Sequence, residues 1–86
     1  MHAGNITSDS AAGRVYQRLA RDVGKWVDAW QLALDAETTA VSTRVSEVRR
    51  QVAALGMSVE HEERREAGKR RQYYRLVPAR GQMMMV

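Results

Sequence analysis

Apolar residues follow a helical rhythm up to residue 55 and an alternating one after it. Val41, Val45, Val48, Val52 and Leu55 recur at steps of four, three, four and three. At about 100° per residue they form one narrow apolar stripe, which predicts a helix over residues 38–55. The opposite face carries Thr39, Thr43, Ser46 and Arg50, flanked by Ser42 and Arg49 on one side and Arg44 on the other. Upstream, Val15, Tyr16, Leu19, Ala20 and Val23 share one side of a helix over residues 11–23, and Arg14, Gln17, Arg18, Arg21 and Asp22 share the other. Ser8 or Ser10 can cap that helix by accepting an otherwise unpaired backbone N–H, and Gly24 ends it. Lys25-Trp26-Val27 is too short for a helix and predicts a brief edge strand. Asp28-Ala29-Trp30-Gln31 has the form of a capping box, with Asp28 accepting from the N–H three residues on and Gln31 reaching back. It opens a short second helix, Ala29 to about Leu34, that buries Leu32 and Ala33. Trp26 and Trp30 are expected to clamp the junction of the first two helices rather than to form a ligand box. Asp35-Ala36-Glu37 leaves only a tight connection, so the second and third helices must meet steeply, the helix-turn-helix arrangement.

Gly56 is the natural C-terminal cap of the long helix. Beyond it the period changes to two. Met57, Val59 and His61 face one way, and Ser58, Glu60 and Glu62 the other. Residues 72–77 repeat the pattern, with Tyr74 and Leu76 inward and Tyr73 and Arg75 outward, and Pro78 ends the second strand. Residues 63–71 are polar and predict a long loop joining an antiparallel hairpin. Residues 1–9 read as a loose arm. Residues 79–86 read as a tail whose Met83, Met84 and Met85 either fray or fold onto a partner.

Eighty-six residues make one small domain with a marginal core. The absence of cysteine excludes a disulfide framework and any thiolate zinc site. No secretory pattern opens the sequence and no apolar run approaches the roughly 20 residues that span a bilayer, so an intracellular protein with no membrane partner is expected. The net charge is +4, but it is not spread evenly. Residues 1–35 hold four basic groups against four acidic ones, and residues 36–86 hold ten against six. The excess therefore lies with the hydroxyl-rich helix and the hairpin, which suits a polyanion partner.

Short hydroxyls are mediocre helix formers, and a plain surface helix does better with Glu, Lys and Ala. Small polar groups near a helix start, followed by arginines, suit a helix that approaches the floor of a DNA groove; a capped, solvated amphipathic helix is the plainer alternative. Catalytic chemistry is hard to build. The histidines are His2, in the arm, and His61, read as a core-edge residue. Glu60 and Glu62 fall on the face opposite His61, and no Gly-rich phosphate loop exists. Neither enzyme function nor a cofactor is expected.

The order of helix, short strand, helix-turn-helix and basic hairpin resembles the winged helix-turn-helix. The resemblance runs from about Arg14 to Pro78 and is carried by residues 26–33 (WVDAWQLA), 38–50 (TTAVSTRVSEVRR), Leu55-Gly56 and Tyr74-Arg75-Leu76. The wording is similar to the biotin-repressor type of DNA-binding domain, and more so to small helix-turn-helix proteins of bacteriophages and other mobile elements. It implies an α+β winged helix over residues 10–78, three helices plus a two- to three-stranded antiparallel wing. It also implies a double-stranded DNA partner, a phage-type transcriptional regulator or recombination accessory factor, and the cytoplasm of a bacterial host. In that family the helix after the turn lies in the major groove. Carried over, Thr38, Thr39, Ser42, Thr43 and Ser46 would face base edges, Arg44 could reach a base, and Arg49 and Arg50 would meet phosphates. The helix start at Asp28-Ala29 also suits phosphate contact. On the wing, Arg64, Arg65, Lys69, Arg70 and Arg71 would track phosphates or enter the minor groove, unless Glu62, Glu63 and Glu66 pair them internally. Hydroxyl readout is modest, so a homodimer through the first helix and arm would add specificity by doubling half-sites. Two other readings stand beside this one. One is a protein–protein module using the Met-rich tail or the tryptophans, since fold does not fix function. The other is a single-strand or RNA binder using Tyr73 beside the basic wing.

Overall fold

Ser10 opens the first helix, α1 (Ala11–Arg21), with its Oγ accepting the Gly13 N–H at 2.9 Å. The computed structural model describes residues 10–79. The alternative cap Ser8, His2, the arm at 1–9 and the methionines at 83–85 lie outside the described residues. Val15 and Leu19 of α1 are fully buried. The helix stops two residues before Val23, which is half exposed and not part of the stripe. The chain turns off at Gly24, which has φ +86° and donates its N–H to the Leu76 carbonyl at 2.8 Å. The end of α1 is thereby tied to the sheet.

The short strand β1 (Val27–Asp28) leads into α2 (Ala29–Ala36). The capping box does not form as expected. Asp28 accepts from the N–H two residues on, that of Trp30, at 2.6 Å. Gln31 reaches forward instead of back, donating to Asp35 at 3.1 Å, because that carboxylate sits one turn ahead on the same face. Leu32 and Ala36 are the fully buried positions, with Ala33 only partly so. Glu37 takes the left-handed conformation (φ +54°) and ends α2. Residues 38–40 form the turn rather than the first turn of a helix, and α3 spans Val41–Val52. Val45, Val48 and Val52 are buried as the stripe requires. Leu55 is not: the chain tightens into a 3₁₀ turn over Ala53–Leu55, which rotates it off the stripe, and it is 62% exposed. Gly56 closes the end at φ +74°.

The hairpin corrects the longest expected loop. Strands β2 (Met57–Glu66) and β3 (Lys69–Pro78) pair in unbroken antiparallel register from Met57↔Pro78 to Glu66↔Lys69. Only Ala67 and Gly68 join them, with φ +52° and +78°, the signature of a type I′ turn. Polarity suggested a loop, but a two-stranded ribbon projecting past the core has no apolar layer to fill, so its residues can all be charged. β1 completes the sheet on the far edge of β3, in the order β1-β3-β2, through Val27↔Tyr74 and Asp28↔Tyr73. The arrangement is α+β, three helices and a three-stranded antiparallel sheet, compatible with a winged-helix layout. Val27, Val59, Tyr74 and Leu76 turn into the core shared with Val15, Leu19, Leu32, Val45, Val48 and Val52.

One aromatic expectation fails. Trp26 and Trp30 do not clamp the helices. Trp26 lies on the outer face of the sheet beneath Arg64 and Arg75, and Trp30 is 73% exposed. Their spacing of four holds only within one helix, and the start of α2 falls between them. His61 keeps its core-facing side of the strand at the core's edge: its partner Tyr74 is buried, while His61 itself is exposed. Its ring stacks on Tyr74 at a centroid distance of 5.0 Å, and its Nε2 lies against the Gln72 amide oxygen. No helix among the described residues is long and apolar enough to cross a membrane.

Candidate functional site

The outward face of α3 is the first element of the site. Thr39, in the turn, and Ser42, Thr43, Ser46 and Arg50, on the helix, are all exposed. Thr38 is half-buried, and its Oγ1 accepts the Ala40 N–H at 3.1 Å, so its hydroxyl serves the turn. Ser46 donates back to the Ser42 carbonyl at 3.1 Å, a common resting state for a helical serine. α3 begins at Ala40 with no side-chain cap and has no acidic residue in its first turn. Its first N–H groups therefore present an uncompensated positive dipole end beside these hydroxyls.

The arginines of α3 divide by role. Arg44 pairs with Glu47 at 3.2 Å, one turn on, and its Nε is buried without a hydrogen-bond partner. Arg49 donates from Nε to the Val59 carbonyl at 3.1 Å, pinning α3 against β2. Arg50 is exposed and takes part in none of the ion pairs among the described residues.

The hairpin has two chemically different faces. On the outer face, Arg75 meets Glu60 at 2.6 Å and Arg64 meets Glu62 at 2.6 Å. Arg64 also lies 4.3 Å over the Tyr73 ring, and Arg75 lies 4.3 Å over Trp26. Arg71 pairs with Asp28 and reaches Glu66 at 3.7 Å, while the Tyr73 hydroxyl donates to Glu66 at 3.1 Å. The Glu62 hydrogen bond raises the pKa of Arg64, and the Asp28 hydrogen bond raises that of Arg71. Tyr73 is also raised, first by loss of hydration and then by Glu66. This face is a self-neutralised ladder. The inner face is looser. Gln72 donates to Glu63 at 3.2 Å, and Arg70 touches the same carboxylate only at 3.6 Å while remaining largely exposed. Arg65 on this face, and Lys69, which falls on the outer face opposite Glu66, make no ion pair among the described residues.

Between these elements runs a shallow groove of about 420 Å³. Ala29, Trp30 and Ala33 of α2 form one wall, Thr39, Val41 and Ser42 another, and Gln72 and Tyr74 of β3 the third. The basic hollow beside α1 is different. Arg18 there is held by Asp35 at 2.8 Å and Asp22 at 3.0 Å, and Arg14 donates to the Ala36 carbonyl at 2.9 Å. Among the described residues, no group of three or more His, Asp or Glu is placed to hold a metal ion.

Of the residues singled out from sequence, the structure brings Thr39, Ser42, Thr43, Ser46 and Arg50 to one surface. It leaves Arg65, Lys69 and Arg70 exposed on the hairpin. Thr38, Arg44 and Arg49 make internal bonds, and Arg64 and Arg71 belong to the outer ladder. Trp30, expected as a contact only in the protein-module alternative, lines the groove beside α3. The signal was present: Leu32 and Ala36 are one turn apart on α2, and Trp30 and Leu34 lie on the side away from them.

These features define a small α+β domain with a hydroxyl-faced helix beside a projecting basic hairpin. Compared with protein-family models, curated proteins and solved structures, the chain has no match in any of the three.

Proposed function

We propose that this protein binds duplex DNA, with α3 in the major groove and the hairpin along the adjacent backbone or minor groove. The observation that carries the reading is the exposed face of α3: hydroxyls and Arg50, with the neighbouring Glu47 carboxylate paired to Arg44, and an uncapped N-terminus. Hydroxyls can donate to or accept from base edges, and threonine methyls can meet the thymine methyl. Arg65, Lys69 and Arg70 add positive charge on the projecting ribbon. In cellular terms the reading is a phage-type transcriptional regulator or recombination accessory factor in the cytoplasm of a bacterial host. It lacks a clear bidentate base reader, which favours action as a homodimer on paired half-sites.

The test is fluorescence anisotropy of a labelled random-sequence duplex titrated with the full chain at several salt concentrations. The expected result is binding that weakens steeply with salt. No binding at the lowest salt, from a chain whose circular dichroism shows it folded, refutes the reading. A second reading, a protein–protein module, is favoured by the exposed Trp30 and Leu34 on α2, and that refuting result would select it.

A further inference from the structure

Trp30 is the largest exposed apolar side chain among the described residues, at 73%. Trp26 is covered by two guanidinium groups, whereas Trp30 takes part in no ring stacking or cation–π contact described for the chain. An indole left in water is costly relative to a buried one, and tryptophan is enriched where a surface becomes an interface.

Its position narrows the partner. The groove it walls lies between the start of α3 and strand β3, sharing Thr39 and Ser42 with the former and Gln72 and Tyr74 with the latter. An object that touches both the start of α3 and this stretch of β3 passes over the groove. The lining is alanine, valine, aromatic carbon and neutral polar groups, with no charged residue. It therefore offers nothing to a phosphate but a good surface to a sugar ring. A carboxylate lines the next hollow along α2, where Leu34, Glu37 and Thr38 join Trp30, and another, Glu63, accepts from the groove's Gln72 at 3.2 Å.

We propose that Trp30 is a contact residue of the DNA-binding face, its indole covering a deoxyribose of the strand that crosses from α3 to the hairpin. The inference rests on the duplex-binding reading above and adds a contact that carries no charge. The indole N–H is free to donate to the phosphate next to that sugar.

The test uses the full chain with Trp26→Phe, which leaves Trp30 as the sole tryptophan, titrated with unlabelled random duplex. Its emission should change and its quenching by acrylamide should fall on binding. In parallel, with Trp26 intact, Trp30→Ala should weaken binding of the labelled duplex by about tenfold, and Trp30→Phe by less than Trp30→Ala. Neither should alter the salt dependence, because no phosphate loses its cation. If the duplex binds but Trp30→Ala binds as wild type and the emission and quenching of Trp30 do not change, the inference is overturned while the duplex reading stands. A shallower salt slope in Trp30→Ala also overturns it, since Trp30 would then be acting by placing a cation. If wild type binds no duplex, the underlying reading fails instead. The affinity arm decides the matter should Trp26→Phe fail to fold.

Discussion

The arginines and lysine of the hairpin and α3 fall into two groups by what they touch, and the groups make different predictions. Arg50, Arg65 and Lys69 have no carboxylate partner among the described residues, and Arg70 has only a long contact to Glu63. If each neutralises one phosphate, log affinity should fall with log salt at a slope of about −3.6, since each contact contributes about 0.9. A fourfold rise in salt would then weaken wild type by about 150-fold. With Arg50→Ala, Arg65→Ala and Lys69→Ala combined, the slope should shrink to about −0.9 and the same rise in salt should cost about 3.5-fold. The control is the outer ladder. Removing Arg64 alone would free the Glu62 carboxylate and repel DNA by itself, so the pair is removed together as Glu62→Gln with Arg64→Gln. Net charge is unchanged, an exposed pair of this kind adds little to stability, and the slope should stay at the wild-type value. Anisotropy at four or more salt concentrations reads both. Equal loss of slope in the control and the triple variant would sink the division of roles. An unchanged slope in the triple variant would place the phosphate contacts elsewhere.

Three further outcomes test the fold. Ala67 holds φ +52° in the two-residue turn, where an L side chain other than Asn or Asp is strained, so Ala67→Asn should stabilise by about 1 kcal/mol and raise Tm by roughly 5 °C in a thermal melt followed by circular dichroism. Leu32 is fully buried among the helices, and Leu32→Ala should cost about 3 kcal/mol and lower Tm by roughly 15 °C; a loss under about 1 kcal/mol would mean the core is not packed as described. Burial pushes the Tyr74 hydroxyl above its ordinary value of 10.0, against a smaller opposing pull from Arg49. The unfolded chain ionises first, so this contribution to stability is intact below pH 10 and is lost as pH climbs through the folded-state value. Melts from pH 8 to 11 should show that decline, and Tyr74→Phe should flatten it.

The elements legible in the sequence were those whose apolar residues meet a core. Val45, Val48 and Val52 announce α3 because all three must be buried, and Tyr74 and Leu76 announce β3 for the same reason. The glycine stop at Gly56 was legible because only a left-handed residue closes that end without strain. The outer hairpin was not legible. From Glu62↔Tyr73 outward, side-chain alternation persists but both faces are polar, so burial leaves no period to detect. Trp30 was misread for a related reason: tryptophan is so often buried that its type suggested a clamp, while its place on α2 put it outside.

The same physics explains why net charge was a poor guide to which arginines matter. Five residue pairs, Glu62↔Tyr73 to Glu66↔Lys69, carry the ribbon past His61↔Tyr74, roughly 17 Å of two-stranded sheet at about 3.4 Å per residue. A bare two-stranded ribbon is marginal in water. What can stiffen it is side chain against side chain, and the outer face supplies this with the Glu60–Arg75 and Glu62–Arg64 pairs, Asp28–Arg71–Glu66, and arginines laid over Trp26 and Tyr73. β1 joins in, because Asp28 both caps α2 and holds Arg71. Glu60, Glu62 and Glu66 are thus what stiffen the projecting ribbon, and they sit on the face opposite Arg65 and Arg70, which share theirs with Glu63. One face holds the ribbon in shape by pairing its charges. The other can offer its charges to a polyanion, because it does not need them to stay folded.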